Sequence, residues 1–265
     1  MPILVATRGP KHGTCNICGE LGVLTEDHTP PKGCIKPTQV ELRHVVEVFS
    51  ATVSKGKARL SQNGIKYRTL CGRCNNSLLG HLYDPAMIEL VNGVATILRS
   101  PILLPNPLSV SCQPQALMRS VIGHIAAQGV NRYRKGKHTE AIRDYLLDTS
   151  LPLPEGLKIF YWLYPWRAQV LARDAVYMGL DTDQQFAFWI MKFYPMAFLV
   201  VIDETPNFPY RVQNLDPCRQ LPFSTRVNLP ILLRSIPPLD WPEAPSDTSI
   251  IAYGREAISA RGRKN

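Results

Sequence analysis

Cys15-Asn16-Ile17-Cys18, Glu26-Asp27-His28-Thr29-Pro30-Pro31 and Cys71-Gly72-Arg73-Cys74-Asn75 are the stretches that decide how this chain reads. Two Cys-x-x-Cys turns offer four sulfur ligands from two sides, the set a tetrahedral Zn²⁺ prefers. The interval 19–70 between them is longer than the about 15–20 residues of a simple zinc ribbon, so a subdomain is expected inside it. The plain reading is a closed, structural zinc that supplies folding energy to a segment with a thin core. That is the role expected for Cys15, Cys18, Cys71 and Cys74; the alternative is a set of unrelated reduced cysteines.

Between the two turns, Asp27 and His28 stand side by side at the end of a candidate strand. Strand geometry alone sends neighbours to opposite faces, but a sharp turn at the following prolines can make both converge. Asn75 comes directly after the last cysteine. A hard divalent ion such as Mg²⁺ or Mn²⁺ takes oxygen ligands and keeps room for water and phosphate. Asp27 and the Asn75 amide oxygen supply two such oxygens, and His28 is then free to act as a general base. Taken singly, each residue has a duller reading: His28 as a surface or hydrogen-bonded histidine, Asp27 as a turn cap, Asn75 as a helix cap.

Working outward, the chain has 265 residues, 45% of them hydrophobic, enough for a sizeable core and for one large or two modest domains. It carries 30 Lys+Arg against 21 Asp+Glu, a net charge of +9, which favours anionic partners such as nucleic acid. No secretory signal fits the N-terminus, and the longest apolar stretch, 186–202, is interrupted by Lys192 and Pro195. It reads as two buried strands. The expectation is a soluble, cytoplasmic protein with no membrane partner, in which paired cysteines point to metal rather than disulfides. Cys34, Cys112 and Cys218 read as plain buried thiols.

Residues 1–98 hold both cysteine turns and short strand-like runs: 21–25, 45–49, 58–61 and 65–70. A proline-rich connector follows at 99–114. At 115 the period changes to three-to-four spacing through Leu117, Val121, Ile122 and Ile125, which predicts an amphipathic helix, with a second helix at 139–147. Strands are expected at 158–164, 169–177, 186–194 and 196–202, so that 115–235 forms a helical, then β-rich accessory domain. Residues 236–265 read as an irregular, proline-rich and basic tail. The fold class is thus α+β.

The ordered series of Cys-x-x-Cys, Asp-His with prolines, and Cys-x-x-Cys followed by Asn and a helix resembles the HNH endonuclease family. Its fold is the ββα-metal, or His-Me finger, arrangement, here treble-clef-like and stapled by zinc. The resemblance covers about residues 12–90 and is only loose over 115–265. It implies that Cys15, Cys18, Cys71 and Cys74 hold structural zinc. It implies that Asp27 and Asn75 hold the catalytic ion and that His28 deprotonates the water that attacks a phosphodiester, most simply of DNA. Free-standing nucleases of this kind commonly serve mobile elements or antiphage defence. One departure is that the family often has an Asn in the strand before the last cysteine turn, where this chain has Lys66, Tyr67, Arg68 and Thr69.

Lys32, Lys36, Lys66, Arg68 and Arg73 flank this site and are expected to contact nucleic-acid phosphates, or else to be a solvated surface. The C-terminal region is expected to meet substrate, a protein partner or an activator. The rival reading of the whole chain is a non-catalytic, zinc-dependent nucleic-acid-binding or assembly module. His81 lies too far round a helix from Asn75 to join it, and His12, His44, His124 and His138 receive no chemical role.

Overall fold

A computed structural model describes residues 7–36, 38–50, 56–101, 103–133, 137–204 and 206–262. Arg263 and Lys264 of the basic tail lie outside the described residues. The architecture is mixed α and β. The chain opens with β1 (His12–Thr14), β2 (Leu21–His28), β3 (Val40–His44), α1 (Val45–Phe49), β4 (Arg59–Ser61) and β5 (Lys66–Cys71). A π-helix, Arg73–Tyr83, then runs straight into α2 (Asp84–Leu98). Next come β6 (Leu108–Cys112), α3 (Pro114–Ala126) and α4 (Lys137–Leu147). The remainder supplies β7 (Leu157–Leu163), β8 (Gln169–Gly179), β9 (Gln185–Phe193), β10 (Met196–Ile202), β11 (Gln213–Asn214), β12 (Val227–Ile231), β13 (Ser249–Ala252) and β14 (Ile258–Gly262).

Three sheets result. β1, β2 and β5 form a small antiparallel sheet that carries the cysteine turns. β6 pairs with β12. The third sheet has nine strands, in the order β11-β7-β10-β9-β8-β14-β3-β4, with β13 also on β8. Both of its faces are covered. In β7, Ile159, Tyr161 and Leu163 join one core with α3, while Phe160 and Trp162, with Tyr164 just beyond the strand, join a second core on the other side. Burial on both faces explains why these strands read as nearly continuous apolar and aromatic runs rather than alternating ones.

The second face is closed by the proline-rich segment near Trp241. Lys192 in β9 points into that face and is fully buried. Its ammonium donates to the carbonyls of Leu239 (2.5 Å) and Trp241 (2.9 Å) and to the Glu243 carboxylate (2.6 Å). A buried charge survives only with such partners, so this lysine pins the segment to the sheet.

Several expectations are corrected. Residues 45–49 are helical, not extended: the His44 side chain caps the turn by accepting from the Val46 N–H (3.2 Å), with Glu47 in the first turn. The tail at 236–265 is not irregular throughout, since β13 and β14 both pair with β8, and β14 also with β3. The connector at 99–114 includes β6. The nine-stranded sheet also takes β3 and β4 from within residues 1–98, so the connections cross that expected boundary. Finally, α3 is not amphipathic in its setting: every residue from Pro114 to Ala126 is buried. Its polar side chains are therefore satisfied internally. Arg119, for example, donates to the carbonyls of Tyr145 (3.0 Å) and Leu151 (2.8 Å) and lies 3.9 Å over the Tyr145 ring.

Among the described residues, no helix is long and apolar enough to cross a membrane.

Candidate metal centre and the strand beside it

The four sulfur atoms of Cys15, Cys18, Cys71 and Cys74 lie within 4.8 Å of one another. Cys18 Sγ and Cys71 Sγ are 3.8 Å apart. A tetrahedron with Zn–S bonds of about 2.3 Å has edges of about 3.8 Å, so the spacing suits such an ion. A hydrogen bond with Cys74 draws Cys15 down and pushes Cys74 up, and burial raises Cys18, so with no ion present one thiolate is shared within the cluster. These four residues could hold a metal ion such as zinc, in line with the sequence expectation. The other three cysteines are buried free thiols.

The first cysteine turn is also bolted to the rest of the molecule. Asn16 is buried, and its amide donates to the carbonyls of Gly129 (2.8 Å) and Ala126 (3.2 Å) at the end of α3. Its Oδ1 accepts from the Arg132 N–H (3.3 Å). Carbonyls at a helix C-terminus lack partners within the helix, and this side chain supplies one.

β2 leads from the sulfur cluster to Asp27 and His28. Its register against β5 shifts between Thr25 and Glu26. Such a bulge re-aims the side chains that follow. Leu24 and Asp27, three residues apart, are consequently both buried, whereas strict alternation would have separated them. His28, the next residue along, is half-buried. Burial chiefly holds its imidazole below the usual histidine range; the nearby charges of Lys66 and Lys32 act in the same direction, and Asp27 opposes them. The structure thus directs Asp27 inward and His28 to the other side of the strand.

Asn75 sits in the first turn of the π-helix. Its Nδ2 donates to Thr25 Oγ1 (2.9 Å) and to the Glu26 carbonyl (3.0 Å). The amide is therefore fastened to β2 one residue before Asp27, and its oxygen is the atom left for a ligand. The π-helix itself was not foreseen. Asp84 N–H reaches back five residues to the Leu79 carbonyl, a winding that is rare and, where it occurs, frequently lies at functional sites. His81, exposed on this helix, bonds the Asn76 carbonyl (2.6 Å) and is not beside Asn75.

The residue that sequence reasoning missed is His124. It is buried at the end of α3, with Nδ1 2.9 Å from Asp27 Oδ2 and Nε2 2.8 Å from Asp84 Oδ1. Thr29 Oγ1 also donates to Asp27 Oδ2 (3.1 Å), and Ser120 Oγ to Asp84 Oδ1 (2.7 Å). Burial alone would depress His124, but the two carboxylates outweigh it and raise the imidazole to about 10, so it is a cation at neutral pH. Asp84 is held below its usual value: burial opposes this, and His124 overcomes it. Gly123 lets this end of α3 lie close to the π-helix, because a Cβ there would collide with Leu79. The only hint in the sequence is a polar residue within an apolar helical period; its partners are 97 and 40 residues away along the chain.

The basic positions divide into two groups. Lys32, Lys36 and Arg73 are exposed. Lys66 and Arg68 instead pair with Glu26 at 3.3 and 3.2 Å, and Arg8 approaches the same carboxylate at 3.8 Å. Glu26 neutralises part of this face.

Comparison of the chain with family models, with curated proteins and with solved structures returns no match.

Proposed function

We propose that the chain is a metal-dependent endonuclease of the HNH type, hydrolysing phosphodiester bonds of nucleic acid, most simply DNA. The observation that carries the reading is the double hydrogen bond from Asn75 to Thr25 and Glu26. It fastens the amide beside the Asp27-His28 pair and directly after a four-sulfur site. The HNH resemblance in the sequence calls for these parts in this order.

In this reading His28 takes the proton from the attacking water: its ring is partly accessible, and burial holds it below the usual histidine range although Asp27 and Glu26 oppose this. The hydroxide adds to phosphorus in line with the leaving oxygen, the P–O bond breaks, and the leaving oxygen acquires a proton from solvent. Asp27 Oδ1 and Asn75 Oδ1 would be the oxygens to hold an Mg²⁺ or Mn²⁺ ion, since Asp27 Oδ2 is already used by His124 and Thr29. When bound, that ion supplies stabilisation of the negative charge that develops on the phosphate. Lys32, Lys36 and Arg73 are the exposed cations available to hold the nucleic-acid backbone.

The test is conversion of supercoiled plasmid by purified protein with Mg²⁺ or Mn²⁺. Wild type is expected to nick or cut. His28→Ala is expected to lose about 10²–10⁴-fold in rate while binding labelled DNA as before. Equal cleavage by the variant would remove His28 from the mechanism.

A second reading has one observation in its favour. Asp27 is 4% exposed and locked between His124 and Thr29, which suits a structural residue in a non-catalytic nucleic-acid-binding or assembly module. In that case neither wild type nor variant cleaves, and both bind.

A further inference from the structure

A cavity of about 470 Å³ lies away from the Asp27–His28 strand, between the first cysteine turn, α4 and the large sheet. None of Asp27, His28 and Asn75 lines it. The volume falls in the range of small-molecule sites, about 300–1,000 Å³.

Its wall is shaped by an irregularity in β8. The register of β8 against β9 shifts between Ala172 and Ala175, and the two residues in the shift, Arg173 and Asp174, both line the cavity. Asp174 has φ +57°, a left-handed conformation uncommon for a residue with a side chain. Bulges and strained residues of this kind gather at binding sites because they re-aim side chains. Here the strained carboxylate accepts from Trp189 Nε1 (2.9 Å) and from Arg132. Arg173 donates to the Ala126 carbonyl (2.8 Å), with its guanidinium 5.2 Å from the Trp189 ring centre.

The lining is chemically lopsided. Arg132, Arg143, Arg173 and His138 face the cavity, and Asp174 is the one acid among the lining residues. The other carboxylates that pair with these side chains, Glu256, Asp144 and Asp203, are outside the lining. Trp189 and aliphatic residues such as Ile17 and Ile142 complete the lining. Guanidinium groups at a rim suit a phosphate or carboxylate, and an apolar floor with an aromatic ring suits a flat organic body.

We infer that this cavity binds a small organic anion that carries an aromatic or heteroaromatic ring. Ile17 and Asn16 place such a ligand against the turn that holds Cys15 and Cys18. This inference is independent of whether the chain cleaves nucleic acid.

The test is isothermal titration calorimetry on the full chain, with adenosine 5′-monophosphate as the probe and adenosine and inorganic phosphate as separate arms. The monophosphate is expected to bind, and each of its halves at least about tenfold more weakly. Arg143→Ala is the informative variant, because this arginine is partly exposed and its side chain hydrogen-bonds to Asp144 and Tyr133 rather than to a core element. It is expected to keep the melting temperature of the free protein and to weaken the monophosphate about tenfold or more. No binding of adenosine, guanosine, cytidine or uridine monophosphate at millimolar concentration overturns the inference. So does equal binding to wild type and Arg143→Ala.

Discussion

Replacing Cys71 by Ser is expected to strip the bound ion and to unfold the small sheet that carries both cysteine turns. Metal binding by four thiolates contributes about 10–16 kcal/mol in isolated zinc-finger segments, against a total stability of about 5–15 kcal/mol for an ordinary domain. A three-strand sheet whose central strand leaves Leu21 and Val23 exposed has little core with which to replace it. The damage should not stay local. Asn16 joins the first turn to the end of α3, and Thr69 Oγ1 bonds the Ala127 carbonyl nearby. Loss of the ion therefore also frees the C-terminal end of the buried helix. The check is metal content by mass spectrometry beside a thermal melt. The expected result is one ion per chain in wild type, less than one in the variant, and a first unfolding transition at markedly lower temperature. A variant without the ion that melts like wild type would show that the four thiols are bystanders.

His124→Ala is the second large effect. The substitution leaves Asp27 and Asp84 buried with no cation between them. Breaking a buried ion pair by removing one partner costs about 3–5 kcal/mol, since the remaining charge has neither water nor a counter-charge. Here two carboxylates lose the same partner. Thr29 and Ser120 each still donate one hydrogen bond, which keeps the cost within that range. A melting temperature lower by about 10 °C follows for a chain of this size. Urea denaturation measures the free energy directly, and a change under about 0.5 kcal/mol would contradict the role given to the imidazole. The arrangement also has a consequence for the candidate site: α3, from the middle of the chain, sets the orientation of the Asp27 carboxylate on β2.

What could be read from the sequence follows from range. The two cysteine turns are local patterns, and their Cys-x-x-Cys spacing points to a four-sulfur site before any fold is known. The long strands of the large sheet are equally visible, because burial on both faces demands unbroken apolar runs such as Met196–Ile202. Val45–Phe49 misled because branched residues favour strands, and a cap from the His44 ring overrode that preference. β13 and β14 are short and follow a proline-rich run, so only their pairing with β8 identifies them. The inward turn of Asp27 depends on one bulge, and no residue type at Thr25 or Glu26 signals it. His124 lay beyond reach for the same reason as the Lys192–Glu243 pair: the partners are distant in sequence and meet only once the core has formed.

The account stands or falls on an oxygen-coordinated ion beside β2. Crystals soaked in Mn²⁺ and measured at the manganese and zinc absorption edges give the direct answer. The expected maps hold zinc among the four sulfur atoms and manganese within coordination distance of Asp27 and Asn75. Zinc at the sulfur atoms with no manganese near Asp27 would contradict the nuclease reading and leave a structural metal module in its place.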